Sequence, residues 1–229
     1  MSAEPIEGFL VLDKPPGITS MKALAQVRVL ARDSAHGGKS GHAGTLDPLA
    51  TGVLVIGFGR PATRQLARIM GASKRYLTTI DLSAFTASDD MEHEPIPVEV
   101  ETPPDTAAVQ HALEGFHGEI MQAPPTFSAI KVGGRRAYQL ARKDKIKSLD
   151  ARPVLVHDIS MVDYQWPVVT VDVRCGKGFY VRSLARDLGK ALNTGGFCRS
   201  IHRTAVGPFA IEQAMSLKDL PDSIQQQDL

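Results

Sequence analysis

Cysteine is scarce in this chain. There are two in 229 residues, Cys175 and Cys198, with neither CxxC spacing nor a nearby histidine cluster. That pattern argues against both a zinc site and a disulfide framework, and the expectation is reduced thiols in a cytoplasmic protein. Long apolar runs are also missing; none approaches the ~18 residues a membrane-spanning helix needs. The segment Met1–Glu7 is short and acidic, unlike a secretory or transit signal. GxGxxG, HExxH and EF-hand patterns are absent. Gly38-Lys39-Ser40 imitates the end of a P-loop, but Asp33 stands where the earlier glycine is required. The expectation is therefore a protein without membrane contact, metal or cofactor.

Charge of one sign is missing from a long stretch: residues 81–119 hold ten Asp/Glu and no Lys/Arg. The net charge of +1 conceals this segregation. Residues 22–75 carry nine basic and two acidic residues, 131–152 eight and two, and 174–203 seven and one. Gathered on one face, the basic segments would attract a phosphate backbone. Alternatively, acidic and basic segments neutralise each other across the fold. The sequence does not say which segments are neighbours.

Hydrophobic content of 43% and charged content of 22% fit an ordinary globular chain, long enough for one large domain or two small ones. Gly8–Asp13 reads as a strand ending at the turn Lys14-Pro15-Pro16-Gly17. Ser20 is placed to cap a helix over about 21–32. Further helices are expected over 61–70 and 106–115, with a helix face formed by Val181, Leu184, Ala185, Leu188 and Leu192. Strands are expected near 75–82, 154–162, 168–175 and 197–206, and residues 53–58 form an apolar stretch. Acidic, proline-containing sequence at 86–105 reads as a surface excursion, and Ser216 as the cap of a last short helix. Strands separated by irregular excursions predict an α+β fold rather than a doubly wound sheet. A single domain over residues 1–229 is expected.

The most informative segment is Gly41-His42-Ala43-Gly44-Thr45-Leu46-Asp47-Pro48-Leu49-Ala50-Thr51-Gly52. It presents one carboxylate among small and turn-forming residues, with no second acid or nucleophile–base pair beside it. Taken alone, the same residues also fit a turn capped by Asp47 with Pro48 at the first helical position.

Together with five other stretches, this loop resembles the bacterial tRNA pseudouridine synthase B family. The blocks are Gly8–Ser20, Lys74-Arg75-Tyr76, Gln122–Lys131 and Gly176–Gly189, and Ile201–Phe209 matches near the end. The resemblance runs from about residue 8 to residue 220. It implies the pseudouridine-synthase fold, a large mixed, mostly antiparallel sheet with flanking helices and loops around a central cleft. It also implies conversion of uridine to pseudouridine at position 55 in the T-loop of tRNA. The chain is read as the catalytic domain, without the C-terminal PUA domain many members carry.

The resemblance makes Asp47 the essential carboxylate. It acts either as a nucleophile on C1′ or as a stabiliser of a glycal; the sequence does not choose. An ionised acid in a dry site needs a cation close by, and the resemblance assigns Arg182 to that place. Tyr76 is expected to stack on uracil and handle a proton. Tyr180 is expected against base or ribose, Ile201 as an apolar wall, and His42 as the filler of the space left by the flipped base. Lys14 is read as an anchor of structure or phosphate. The stretch 123–152, with Tyr138 among its cations, resembles an RNA-gripping insertion. The expected partner is the tRNA T-arm stem-loop, not DNA or a membrane, bound by a monomer.

One local pattern departs from the family. Its Leu-Gly-x-x-Thr-Asp-Thr-x-Asp run appears as Leu82-Ser83-Ala84-Phe85-Thr86-Ala87-Ser88-Asp89-Asp90, which puts the loop geometry there in question. Two rival readings share the motifs: a non-catalytic tRNA-folding chaperone and a guide-RNA-dependent synthase subunit.

Overall fold

In a computed structural model the chain forms two compact units. One takes the chain up to Arg75 and again from His202, and the other is Tyr76–Ile201. The residues described are 7–31, 39–128, 130–132, 134–141, 146 and 148–229; of residues 131, 132, 136 and 138 the backbone alone is described.

In chain order the elements are β1 (Gly8–Lys14), α1 (Ser20–Leu30), β2 (Ser40–Ala43), β3 (Thr51–Phe58), α2 (Gly59–Gly71) and β4 (Lys74–Asp81). Then follow β5 (Ala84–Phe85), β6 (Ile96–Pro97), α3 (Thr106–Glu114), β7 (Gly118–Gln122), β8 (Lys131–Val132), β9 (Arg135–Arg136) and α4 (Ala137–Ala141). Last come β10 (Arg152–Gln165), β11 (Val168–Cys175), α5 (Val181–Ala191), β12 (Phe197–Val206), β13 (Phe209–Ala210) and β14 (Met215–Ser216). The expected mixed, mostly antiparallel sheet is present. The β1–β3, β2–β3, β7–β10, β10–β11 and β12–β13 pairs are antiparallel, while β1–β14 and β3–β12 are parallel.

The first unit is organised by β3. Seven consecutive residues from Gly52 to Phe58 are buried, so this apolar run is a strand covered on both faces. It pairs with β1 along its length, Gly8 opposite Phe58 and Lys14 opposite Gly52. In β1 the alternation buries Leu10, Leu12 and, at the end, Lys14. Helix α2 covers the sheet with Ala62, Leu66 and Ile69, the spacing of one helical face, and Pro61 sits in its first turn where no N–H is needed. Leu66 and Ile69 pack with Ala43, Val53, Val55 and Val206.

In the second unit, strand order runs β4, β11, β10, β7. Val169, Val171, Val173 and Cys175 of β11 alternate inward. Helix α5 is buried over most of its first two turns, Val181 to Ala185 without a break. Cys175 and Cys198 are both buried and free of any disulfide, and burial pushes the Cys198 thiol up to about 12.

Several local expectations change. Thr19, not Ser20, caps α1, its hydroxyl accepting from Lys22 N at 3.1 Å. Ser20 is buried and used elsewhere, as described below. Ser216 ends a short strand parallel to β1 instead of capping a helix, and its hydroxyl bonds to Asp219. The stretch 86–105 is not wholly a surface excursion: Thr86, Ser88, Asp89 and Asp90 are buried. Of the expected insertion at 123–152, residues 129, 133, 142–145 and 147 and the side chain of Tyr138 lie outside the described residues. Among the described residues no helix is long and apolar enough to cross a membrane.

Candidate active site

The Asp47 loop is fixed through its main chain. Ser20 Oγ accepts from Leu46 N at 2.8 Å and donates to Leu46 O at 3.1 Å. Pro48 O accepts from Gly17 N at 2.8 Å and from Lys14 Nζ at 3.3 Å. Asp47 O accepts from Ala50 N at 3.1 Å, closing a tight turn. At the upstream end, Arg203 Nη2 donates to Gly44 O at 3.1 Å, and Nε donates to Val53 O at 2.8 Å on the downstream side. Two buried cations, Lys14 and Arg203, thus hold the loop by its carbonyls.

Lys14 is buried although it is a lysine. It gives hydrogen bonds to Pro15 O at 2.8 Å and Ile18 O at 2.9 Å besides Pro48 O, so all three ammonium hydrogens have carbonyl acceptors. Burial pulls its pKa down to about 8, and the Asp47 carboxylate pulls it back up. The interaction is mutual: an ammonium that feels Asp47 also favours the ionised form of Asp47. The expectation that Lys14 anchors structure is met by this geometry. Its field on the carboxylate is an added role that sequence reasoning missed.

Removing the Ser20 hydroxyl strips partners from both the N–H and the C=O of buried Leu46. Ser20→Ala is expected to cost roughly 2 kcal/mol, read as a lower urea midpoint at unchanged m-value. A midpoint equal to wild type would show that Ser20 does not hold the loop.

His42 lies on β2, half-buried. Burial and the nearby Arg203 guanidinium lower its pKa, outweighing a backbone hydrogen bond to Gly44, so the imidazole is neutral at pH 7. His42 and Asp47 belong to the first unit. Tyr76, Tyr180, Arg182 and Ile201 belong to the second.

Within that unit, Tyr180 precedes α5 and is gripped by Gln122, the first residue of the matching block Gln122–Lys131, to which sequence reasoning assigns no role. Gln122 Oε1 accepts from Tyr180 N at 2.8 Å and Nε2 donates to Tyr180 O at 3.2 Å. Arg182 follows in the first turn of α5 and is buried. Its Nη1 lies 3.3 Å from Asp90 Oδ2 and donates to Ser88 O at 3.0 Å, while Nη2 donates to Phe127 O at 3.0 Å. Asp90 is itself held by Ser88 Oγ at 2.6 Å and Glu92 N at 2.9 Å. Asp90 therefore stabilises Arg182, and it comes from the segment where the family pattern departs. Tyr76 is partly exposed on β4, and Ile201 is buried on β12. Beside them, Thr78 Oγ1 donates to Ser200 O at 2.7 Å.

These pairs also resolve part of the charge question. Arg182, Arg186 and Arg199 meet Asp90, Asp89 and Asp81 at 3.3, 3.0 and 3.7 Å. Three cations of the basic segment 174–203 are thus paired with the acidic segment 81–119. Segment totals overstate the charge left to face a phosphate backbone. In the first unit, Lys39, Arg60 and Arg64 line a small surface depression of about 220 Å³ with Thr63.

No cluster of His, Cys, Asp and Glu able to hold a metal occurs among the described residues. The first unit offers one carboxylate on a loop held by two buried cations, and the second, described by itself, offers an arginine braced by its own carboxylate.

Residues 32–181 match the TruB family pseudouridylate synthase N-terminal domain, and residues 182–228 match the tRNA pseudouridylate synthase B C-terminal domain. The tRNA pseudouridine synthase B of Ruegeria sp. (strain TM1040) is 45% identical over 216 residues, covering 94% of this chain and 70% of the relative. That of Arthrobacter sp. (strain FB24) is 42% identical over 226 residues, covering 96% and 72%. A chain of the crystal structure of a Cbf5-Nop10-Gar1 complex aligns with a TM-score of 0.71 at 28% identity over 93% of this chain. The present chain spans about half, 53%, of that one. With both family segments matched end to end and relatives above 40% identity along almost the whole sequence, the chain belongs to the TruB family of pseudouridylate synthases.

Proposed function

We propose that this chain isomerises uridine to pseudouridine in tRNA, at position 55 of the T-loop, with Asp47 as the essential carboxylate. The observation that carries the reading is the Asp47 loop. It combines the family's sequence with a main chain held at Gly44, Leu46, Pro48 and Val53 and a buried ammonium that favours the ionised acid. Such fixing keeps a reacting group in place without reorganisation during the reaction.

The reaction breaks the C1′–N1 bond, turns the uracil and joins C1′ to C5; C5 gives up its proton and N1 takes one, so the product is an isomer of uridine. Asp47 acts at the sugar, on C1′ directly or by stabilising a glycal. The uridine leaves its stack first, at a cost of a few kcal/mol offset by contacts to the phosphates and by a side chain in the vacated space. His42 fills that space as a neutral, half-buried ring. Tyr76 stacks on the uracil, with its hydroxyl near a proton in transfer. Tyr180 lies against base or ribose, and Ile201 walls the apolar side. Arg182, braced by Asp90, supplies the positive charge an anionic site requires. The substrate is the T-arm stem-loop, and the chain works as a cytoplasmic monomer.

The test is turnover on an unmodified T-arm hairpin and on whole tRNA, with pseudouridine detected by mass-tagged chemical derivatisation and no guide RNA added. Product at position 55 from the chain alone is expected. Remodelled tRNA without product would favour the chaperone reading. Product only when a guide RNA is supplied would favour the guided one.

A further inference from the structure

Beside the Arg182–Asp90 pair lies a second charged cluster with no part in the chemistry above. Arg186, one helical turn after Arg182 on α5, spends every nitrogen of its guanidinium. Nη1 donates to Asp89 Oδ2 at 3.0 Å, and Nε donates to Asp187 Oδ1 at 2.9 Å. Nη2 donates to Ala123 O at 2.8 Å and to Asp187 Oδ2 at 3.2 Å. The group is mostly buried: 17% of the Arg186 side chain and 11% of the Asp89 side chain remain accessible.

Two partners of Arg186, Asp89 and Ala123, belong to the backbone segments that support Arg182 through Ser88, Asp90 and Phe127. Asp89 sits between Ser88, whose carbonyl accepts from Arg182, and Asp90, whose carboxylate pairs with it. Its backbone is left-handed, φ +60°, a conformation that costs a non-glycine residue of order 1 kcal/mol. Two main-chain bonds oppose that cost, Asp89 N to Thr86 O at 3.3 Å and Cys198 N to Asp89 O at 3.0 Å. Ala123 opens the segment whose Phe127 carbonyl takes the other Arg182 nitrogen, and Ser183 Oγ also donates to Ala123 O at 2.8 Å. Arg186 therefore ties together the two backbone segments between which Arg182 is suspended.

We propose that Arg186 and Asp89 are a positioning pair for the reaction, holding the 86–90 turn and the 123–127 segment so that the Arg182 guanidinium keeps its alignment. The proposal rests on the pseudouridine-synthase reading of Arg182. Neither residue of the pair touches the substrate, so its effect falls on turnover and not on tRNA affinity.

The geometry carries a pH signature. The charged groups facing Asp89 are Arg186, Arg182 and Asp187, with Asp90 and Cys198 next to them. Burial pushes the Asp89 carboxyl up to about 6, against the pull of Arg186 and Arg182 and with a further push from Asp187. The pair is intact at pH 7.5 and loses its negative member below about pH 6.

The experiment measures kcat and KM for unmodified tRNA between pH 5 and 8.5, for wild type, Arg186→Gln, Asp89→Asn and the double variant. Asparagine tolerates the left-handed backbone, so Asp89→Asn removes the charge and keeps the turn. Both single variants are expected to lower kcat about ten- to hundredfold with KM within about twofold. The double variant should be no slower than the slower single, as for one coupled unit. Wild-type kcat should fall below pH ~6, and Asp89→Asn should lose that fall. Arg186→Lys should restore part of the rate. Wild-type kcat in both single variants, a rise in KM alone, or an unchanged acid limb in Asp89→Asn would overturn the positioning role. A lowered thermal midpoint with the pH profile unaltered would overturn it too, since that is mere loss of folded protein. A wild-type chain that makes no pseudouridine overturns the synthase reading and the positioning role together. Turnover in wild type with unaffected variants overturns the second alone.

Discussion

Asp47→Asn is expected to bind tRNA with nearly wild-type affinity and to form pseudouridine more slowly by a factor on the order of 10⁴ or greater. The amide keeps the size of the carboxyl but can neither attack a sugar carbon nor offset positive charge on it. The loop should keep its shape, because its supports act on Gly44, Leu46, Pro48 and Val53 main-chain atoms and on the Asp47 carbonyl, all unchanged by the substitution. Lys14 would lose the charge that raises its pKa, a modest loss. Filter binding with labelled tRNA and the mass-tagged product assay, run on the same preparation, give the two readouts. Pseudouridine from the variant at a rate within tenfold of wild type would remove Asp47 from the chemistry.

Gly52→Ala is expected to unfold the first unit or to cost about 4 kcal/mol or more, at the far end of what single substitutions do. Gly52 has φ +96°, and a Cβ there would lie 2.2 Å from Arg203 O and 2.8 Å from Arg203 N. Those are backbone atoms of the strand that pairs with β3 at that point, Arg203 opposite Gly52. They cannot rotate aside as a side chain would. Displacing them also disturbs the guanidinium that holds Gly44 and Val53. Gly17→Ala is the control, since Gly17 also has positive φ, +81°, but no atom within 4 Å of a built Cβ. It should cost about 1–2 kcal/mol. Urea titrations compare the two; equal midpoints would show that backbone conformation, and not the close strand contact, sets the requirement at Gly52.

Much of the fold was legible because it follows from periodicity. The alternation of Val168, Val169, Val171 and Val173 marks a strand that the structure gives as Val168–Cys175. The helix expected over 61–70 is α2, Gly59–Gly71, though that expectation rests on Pro61 and not on periodicity. The site was less legible. A motif names Asp47 and Arg182 but not what holds them. The serine that supports Leu46 occupies a place where serines usually cap helices, so local statistics pointed to the cap. Asp89 and Asp90 lie in an acidic, proline-containing stretch whose composition reads as surface, and they are buried because arginines some 95 residues later in the chain reach them. Gln122 opens one of the matching blocks, but its role is not readable there, since an amide clamp on the backbone has no sequence pattern. Pairing between distant segments decides each of these cases, and a one-dimensional reading has no access to it.

The supports of the carboxylate loop take hold of peptide groups. Gly44, Leu46 and Pro48 are gripped by their carbonyls or amide, whereas the side chain of Thr45 is exposed and that of Leu49 partly so. Identity at those two places is thereby uncoupled from the placement of the acid. Thr45 and Leu49 are natural positions for a saturation library, where evolution or an engineer could retune how the protein meets neighbouring nucleotides while the chemistry stays in register.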